Sequence, residues 1–159
     1  MKNLKIIPLM VSIGVCFLAA TVGSVFTTGS IDTWYVTLNK PFFNPPNWIF
    51  GPVWTMLYLM MGISLYAFWN KKTNATEKRQ GISLFFVQLA INVLWSILFF
   101  GLKSPIAALV GIIILWFAIY LTIRNFLKVS KLAGWLLIPY LAWVSFATVL
   151  NLSIVLLNR

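Results

Sequence analysis

Histidine is absent from this chain of 159 residues, cysteine occurs once, and only two residues are acidic. Metal sites of the usual histidine, cysteine and carboxylate type therefore lack their components. The same shortage leaves little room for general acid–base catalysis by histidine or by paired carboxylates. The single cysteine, Cys16, permits neither an internal disulfide nor a cysteine zinc site. We expect no metal site and no resident cofactor.

Charge is also scarce. Charged residues make up 9% of the chain and hydrophobic residues 61%, against about 25% and about 45–50% in ordinary globular domains. A soluble domain could not cover so much apolar surface, so the surrounding solvent should be lipid. The net charge of +10 comes from basic residues in short segments between apolar runs. That placement is typical of topology signals and of contact with anionic lipid headgroups, and we expect no nucleic-acid partner.

Five apolar segments are each long enough to cross a bilayer of ~30 Å, which takes about 20 helical residues. We expect an all-α integral membrane protein, a single transmembrane domain over residues 1–159 that forms a five-helix bundle. The first segment is longer than a signal-peptide core and lacks a clear cleavage site, so we expect it to be retained. The predicted spans are 6–26, 48–69, 81–101, 105–126 and 133–157.

The basic residues predict the orientation of the spans. Most of the twelve Lys and Arg residues lie in the N-terminal segment, including Lys2, and in the second and fourth loops. Cytoplasmic loops carry such an excess. We expect a multi-pass protein of the cell membrane with its N-terminus in the cytoplasm. The C-terminus and the first loop would then lie outside the cytoplasm.

The most unusual segment is an aromatic, proline-rich loop, predicted over residues 27–47, that leads into the second span. Its prolines prevent regular structure and restrict the residues before them to extended backbone. We expect this stiff loop to cover the mouth of the bundle, with Asp32 capping a short helical turn that carries Trp34 and Tyr35. Residues 70–80 read as a polar loop, and Pro139 should kink the last span.

Polar residues within the spans are few, and Asn92 is the most prominent. Gln88, Asn92 and Ser96 recur at every fourth position and form one stripe along the third span. An amide without a partner is costly in lipid, so these side chains should face the bundle interior or a ligand. An interhelical hydrogen bond with no ligand explains Asn92 equally well, and it is the preferred explanation for Gln88 and Asn151.

Three tryptophans lie deeper in the spans than interfacial anchors do: Trp54, Trp95 and Trp143. They should pack against other helices or line a pocket. A pocket walled by indoles would stack on a flat conjugated ring system. Haem is a poor candidate because its usual axial ligand, histidine, is missing, whereas a metal-free porphyrin needs no such ligand.

Several motifs in order resemble the translocator protein family, known in bacteria as tryptophan-rich sensory proteins and in animals as the peripheral benzodiazepine receptor. The resemblance covers nearly the whole chain. Its specific parts are Trp34-Tyr35, Lys40-Pro41, Asn44-Pro45-Pro46-Asn47-Trp48, Gly51-Pro52-Val53-Trp54-Thr55, Tyr58, Asn92-Val93-Leu94-Trp95-Ser96, Phe99, Pro139-Tyr140-Leu141-Ala142-Trp143, Phe146-Ala147 and Leu150-Asn151.

The resemblance implies a five-helix bundle, usually a homodimer, with a pocket open toward the first loop. It implies a membrane receptor or sensor that binds porphyrins such as protoporphyrin IX and benzodiazepine-type compounds. The ligand-binding positions carried over by motif are Tyr35, Pro45, Trp54, Asn92, Trp95, Trp143 and Ala147. Some family members are reported to degrade protoporphyrin in light, and Trp54 and Trp143 would be the catalytic candidates for such photochemistry.

Two alternatives stay open beside the receptor. A light-dependent porphyrin-degrading enzyme would need no acid–base group, which suits this composition. A porphyrin or sterol transporter is less favoured, because there is no inverted repeat and no coupling-ion site. The sterol pattern near the C-terminus of animal members lacks its tyrosine here, although Leu115, Tyr120 and Arg124 fit a loose version of it on the fourth span.

Overall fold

The computed structural model describes residues 5–159, which are helical throughout except for connecting segments and contain no strand. Lys2, which the prediction of orientation includes, lies outside this range. The long helices are α1 (Ile6–Ile31), α2 (Asn47–Trp69), α3 (Ala75–Ser96, continued by a π-helical turn Ile97–Gly101) and α4 (Pro105–Val129). The last span consists of α5 (Lys131–Leu136) and α6 (Ile138–Leu157). Five helical segments are thus long and apolar enough to cross a membrane, which confirms the predicted fold class.

Helix α1 continues to Ile31, five residues beyond its predicted end. Its last turns are rich in Ser and Thr, which suggested a loop. In the structure Thr27 and Thr28 donate hydrogen bonds to carbonyls four residues earlier. Ser30 donates to the carbonyl of Phe100 at 2.8 Å. Because the hydroxyls are satisfied by the helix and its neighbour, they do not compete with helix formation.

Asp32 does not cap a helical turn, so that prediction is wrong. The residue stands at the C-terminal end of α1. The short 3₁₀ turn Tyr35–Thr37 follows, and no side chain caps its start. The turn is nevertheless where the sequence placed it, with Trp34 directly before it and Tyr35 as its first residue.

Helix α3 begins at Ala75, so the predicted loop 70–80 is corrected to end at Asn74. The Asn74 side chain accepts a hydrogen bond from the backbone N–H of Glu77 at 2.8 Å, and the Thr73 hydroxyl bonds the Glu77 carboxylate. These contacts satisfy a free amide at the start of the helix. A polar first turn therefore belongs to the helix rather than to the loop.

The last span is interrupted just before Pro139, where the sequence predicted a kink. Helix α5 ends at Leu136 and α6 begins at Ile138, with Leu137 between them. A proline is tolerated in the first turn of α6, because the N–H that it lacks would have no helical partner there. Beyond this interruption, Trp143 and Ala147 of α6 line the cavity described below.

The two ends of the bundle differ. At the basic end, which carries the α2–α3 and α4–α5 connections, the rings of Phe68, Phe85 and Phe126 stack in nearly parallel planes. Helices α1 and α2 touch there so closely that a Cβ on Gly62 would lie 2.7 Å from the Cα of Ile13. The opposite end, which we call the loop end, carries residues 32–46 and is less densely filled. This half of the bundle holds the candidate site.

Candidate functional site

A cavity of about 410 Å³ lies between α1, α2, α3 and α6 in the loop half of the bundle. This volume is within the range of small-molecule sites. Of the predicted ligand-binding residues, all but one line this cavity: Tyr35, Trp54, Asn92, Trp95, Trp143 and Ala147. Pro45 is the exception. Its carbonyl accepts a hydrogen bond from the Asn44 side chain at 3.0 Å, so it supports the cover of the cavity instead of its wall.

Asn92 stands at the centre of a buried hydrogen-bond chain at the floor of the cavity. Its Oδ1 accepts from the Tyr58 hydroxyl at 3.3 Å, and its Nδ2 donates to the Tyr140 hydroxyl at 2.6 Å. All three residues are buried, and Tyr140 has no exposed surface. An amide can make two hydrogen bonds at each end. Asn92 therefore keeps one donor and one acceptor site that these tyrosines do not use.

Tyr140 was missed as a site residue by sequence reasoning, although it lies within one of the recognised motifs. A tyrosine in an apolar span needs a hydrogen-bond partner for its hydroxyl when buried. Asn92 was the strongest polar signal in another span. Pairing the two would have found the contact, but nothing in the linear sequence fixes which faces of the two helices meet.

The indoles form three walls around Asn92. The Trp54 ring lies 5.7 Å from Tyr58 and 6.3 Å from Tyr140, measured between ring centroids. The Trp143 ring lies 6.1 Å from that of Phe50. These separations are those of favourable aromatic pairs. Trp54 and Trp143 are therefore held by neighbouring rings while they line the cavity.

The third indole is anchored by a hydrogen bond. Trp95 stacks on Phe99 at 5.5 Å and donates its N–H to Asn151 at 3.3 Å. Asn151 in turn donates to the carbonyl of Pro105 at 2.9 Å. Asn151 thus makes the interhelical hydrogen bonds expected of it. Gln88 is equally buried, but its amide has no hydrogen-bond partner among residues 5–159.

The fourth wall comes from α1, which the sequence did not indicate. Gly23 of α1 packs closely against α3, since a Cβ there would lie 3.3 Å from the Ser96 hydroxyl. Ala20 and Gly23 also line the cavity. Because these two residues are small, they leave open the space that the indoles of the other three helices enclose.

The cavity opens sideways between α1 and α2. Thr21, Ser24 and Thr28 of α1 and Gly51 and Thr55 of α2 line the cavity and are also exposed on the surface. The hydroxyls of Thr21 and Thr55 donate to carbonyls of their own helices at 2.9 Å. Helices α1 and α2 approach closely at Gly62 and Ile13, and the exposed lining residues lie nearer the loop end than this contact. The opening faces the lipid.

The loop end is closed by a cover, residues 32–46, that is fixed by hydrogen bonds. Tyr35, the buried residue of the cover, donates its hydroxyl hydrogen to the Asn44 side chain at 2.6 Å. Lys40 donates to the carbonyls of Tyr35 and Leu38 at 2.8 and 3.0 Å. Burial raises the pKa of Tyr35 to about 12, although the hydrogen bond to Asn44 opposes the rise. Tyr35 therefore stays protonated and able to donate at neutral pH.

A second contact ties the cover to the end of the chain. The N–H of Asn39 donates to the side chain of Asn158 at 2.9 Å, and the Asn158 amide donates back to the Asn39 carbonyl at 2.9 Å. This reciprocal pair joins the cover to the C-terminal end of α6. The cover is consequently anchored both to its own Tyr35 turn and to the helix that carries Trp143.

No charged side chain lines the cavity in the described part of the chain. The lining offers aromatic faces, the amide of Asn92 and a few hydroxyl groups. Such a site suits a flat, largely apolar molecule that carries a limited number of hydrogen-bonding groups. Its lining residues with titratable side chains are Tyr35 and Tyr58.

Comparisons with known proteins agree with this architecture. The model of the TspO/MBR family matches residues 12–157. The Tryptophan-rich protein TspO of Archaeoglobus fulgidus is 48% identical over 161 residues, covering 98% of this chain and 99% of that protein. The Tryptophan-rich sensory protein of Cereibacter sphaeroides is 37% identical over 145 residues, covering 89% of each chain. The human Translocator protein is 42% identical over 135 residues, covering 84% of this chain and 80% of its own length. With matches of this extent and identity, the chain is a membrane protein of the TspO/MBR family.

Proposed function

We propose that this protein is a membrane receptor or sensor that binds protoporphyrin IX or a related flat hydrophobic ligand, including benzodiazepine-type compounds, in the aromatic cavity. The observation that carries the proposal is the arrangement of Trp54, Trp95 and Trp143 around Asn92 in one cavity of about 410 Å³. Relatives named Tryptophan-rich sensory protein and Translocator protein support a role in sensing or moving a small molecule. Binding of such a ligand requires no resident cofactor in the protein.

The geometry favours a flat ring system with a polar edge. Each aromatic contact contributes about 0.5–1.5 kcal/mol beyond the burial of apolar area. The amide of Asn92 can orient one polar group of the ligand. A ligand larger than the cavity can extend its remaining polar groups through the opening between α1 and α2. The cover is already ordered, which lowers the entropic cost of binding.

Tryptophan fluorescence titrated with protoporphyrin IX tests this proposal. Saturable quenching is expected for the wild type, and the double variant Trp143→Phe/Asn92→Ala should bind at least about tenfold more weakly, since it loses one indole and one amide contact. The matched control is Trp135→Phe, which removes an indole that is 65% exposed on the outside of the bundle. Equal affinity of the double variant and the control would contradict a site at this place.

A light-dependent porphyrin-degrading activity is the second candidate. It is favoured by one observation: Trp54 and Trp143 line the same cavity, and Trp54 is in contact with the rings of Tyr58 and Tyr140. An indole there can donate an electron to an excited porphyrin, with dioxygen as the terminal oxidant. Under illumination the porphyrin absorbance should fall faster with the wild type than with Trp54→Phe/Trp143→Phe. Loss no faster than in detergent alone would exclude this activity.

We further propose that the basic end faces the cytoplasm and that the protein forms a homodimer. Exposed basic residues such as Lys71, Lys72 and Arg79 gather at the basic end, as cytoplasmic loops require. Single cysteines introduced at Lys72 and at Phe42 should react with an impermeant maleimide from opposite sides of the membrane. Labelling of Lys72→Cys from the outside would contradict the proposed orientation. The homodimer is tested separately by the mass of the protein in mild detergent, and a monomeric mass would contradict it.

A further inference from the structure

A second concave site lies on the lipid-facing side of the bundle, between α4 and α6. It is a groove of about 300 Å³ lined by Ile113, Trp116 and Phe117 of α4 and by Ser145 and Thr148 of α6. The groove shares no lining residue with the aromatic cavity. The family resemblance assigned no role to any of these residues.

The polar groups of this groove are already satisfied within the protein. The indole N–H of Trp116 donates to the Ser145 hydroxyl at 2.8 Å, and that hydroxyl donates to the Leu141 carbonyl at 2.8 Å. Thr148 donates to the Val144 carbonyl at 2.7 Å. The groove consequently offers apolar surface with a fixed shape, which suits a hydrocarbon chain better than a hydrogen-bonding ligand.

A ladder of side chains leads from the groove to the basic end of α4. Trp116 stacks on Tyr120 with ring planes 8° apart and centroids at 5.7 Å. Arg124 donates to the Tyr120 hydroxyl at 3.0 Å and lies over that ring. The three residues are spaced by four, so they share one face of the helix. The ladder fixes the position of the guanidinium, which is exposed at the surface.

No acidic side chain neutralises this guanidinium. The two acids of the chain are Asp32, at the loop end, and Glu77, in the first turn of α3. Glu77 is bonded by Thr73, and in the described part of the chain the hydrogen bond of Arg124 goes to Tyr120. Arg124 therefore presents an uncompensated charge with free donors at the end of the ladder that leads away from the groove.

The dimensions of this surface match one leaflet of a bilayer. From Ile113 to Arg124 the helix rises about 16 Å at 1.5 Å per residue. Half of a ~30 Å hydrocarbon core is about 15 Å. With Arg124 at the level of the headgroups, the groove reaches the middle of the membrane, as one acyl chain does.

We propose that this groove binds one anionic glycerophospholipid, with its phosphate on Arg124 and an acyl chain against Ile113, Trp116 and Phe117. Arginine suits a phosphate because its planar fork can donate two parallel hydrogen bonds. The surface does not match the sterol pattern noted in the sequence, because Leu115 is 1% exposed and points into the core while Tyr120 is 37% exposed. The inference is independent of what the aromatic cavity binds.

Native mass spectrometry of the delipidated full-length protein tests the proposal. Phosphatidylglycerol and phosphatidylcholine with identical acyl chains are added separately, and the first bound lipid is quantified. The wild type should prefer phosphatidylglycerol by about fivefold, the effect of one basic residue at an anionic surface. Arg124→Ala should lose this preference, whereas Lys72→Ala, which removes an exposed charge elsewhere at the basic end, should keep it.

A second variant tests the acyl chain. Thr148→Phe fills the groove without touching Arg124 and should lower the binding of both lipids severalfold. Equal lipid preference in Arg124→Ala and Lys72→Ala would overturn the proposal, and so would unchanged binding in Thr148→Phe. Efficient disulfide formation between copies of Phe117→Cys in membranes would show that a second copy covers the groove, and would also overturn it.

Discussion

At the scale of single residues, the amide of Asn92 defines the polar centre of the candidate site because the hydroxyls of two buried tyrosines bond its two ends and hold it in place. Tyr58 donates to its oxygen and Tyr140 accepts from its nitrogen. The side chain is therefore fixed before any ligand arrives, which is the condition for a specific polar contact in an apolar cavity.

Replacing Tyr140 by Phe should leave the Asn92 amide with an unsatisfied buried donor. We expect a loss of about 1–3 kcal/mol in the free energy of unfolding, measured by thermal or denaturant unfolding in detergent. The matched control is Tyr66→Phe, whose hydroxyl accepts from the exposed backbone N–H of Lys5 and should cost much less. In the double variant Tyr140→Phe/Asn92→Leu the two losses should not add, because one interaction is removed twice. Additive losses would mean that the two residues act separately.

Tyr35 is the residue on which the stability of the cover depends. Its raised pKa, about 12 against an ordinary value of about 10, means that the folded cover favours the protonated phenol. The stabilisation is complete below the ordinary pKa and is lost as pH rises from about 10 to about 12. The protection of residues 32–46 from hydrogen exchange should accordingly be constant from pH 6 to 9, after correction for the intrinsic exchange rate.

Tyr35→Phe removes the hydroxyl that holds Asn44 and should reduce the protection of the cover at neutral pH. Tyr120→Phe, at the lipid-facing surface, serves as the control and should leave it unchanged. Unaltered exchange of the cover in Tyr35→Phe would show that the Asn39–Asn158 pair and Lys40 hold it without this contact.

At the scale of elements, the contact between α1 and α2 explains where the cavity opens. The two helices are locked together at Gly62 and Ile13 near the basic end. In the loop half they separate, and exposed residues of both helices line the cavity. A hydrophobic ligand that partitions into the membrane can enter from the lipid, while the anchored cover closes the aqueous side.

Ser24 lies in this opening, and Ser24→Trp should obstruct it. We expect the association rate of protoporphyrin IX to fall by about tenfold, within the range that such rates vary among variants, with a smaller change in equilibrium affinity. Val25→Trp places the same side chain one residue away, at a position that is 66% exposed and does not line the cavity. Stopped-flow fluorescence compares the two. Equal rates would contradict entry between α1 and α2.

The ends of the elements were the least predictable part of the chain. Apolar length identified the spans, but the end of α1 and the start of α3 lie in polar sequence. Thr27 and Ser30 belong to a helix because their hydroxyls find carbonyl partners, and Asn74 begins a helix because it caps Glu77. Such partners are properties of the folded chain, so composition alone places these residues in loops.

At the scale of the whole molecule, the five-span architecture followed from the shortage of charge and from the length of the apolar runs. The cavity did not follow in the same way. Deep indoles and one amide indicated a pocket, and motif resemblance supplied the positions. Pro45 was carried over to the ligand site by motif although it does not line the cavity, while Tyr140 and the small residues of α1 were not assigned to the site. Which helix faces meet is determined by packing between distant segments.

The half of the bundle at the basic end is densely packed, and the half at the loop end contains the cavity. Stacked phenylalanines and close helix contacts fill the basic end, so the loop end can hold an open cavity without the bundle losing its shape. Lipid surrounds the outer surface, and the groove between α4 and α6, where we propose that one lipid binds, shares no lining residue with the cavity. Ligand and lipid would thus occupy different faces of the same scaffold.

A structure of the protein with protoporphyrin IX bound tests the central claim most directly. We expect the macrocycle between α1, α2, α3 and α6, in van der Waals contact with Trp54 and Trp143, with one polar group within hydrogen-bond distance of Asn92. A macrocycle bound in the groove between α4 and α6, or on the outer surface with the aromatic cavity unoccupied, would contradict the account.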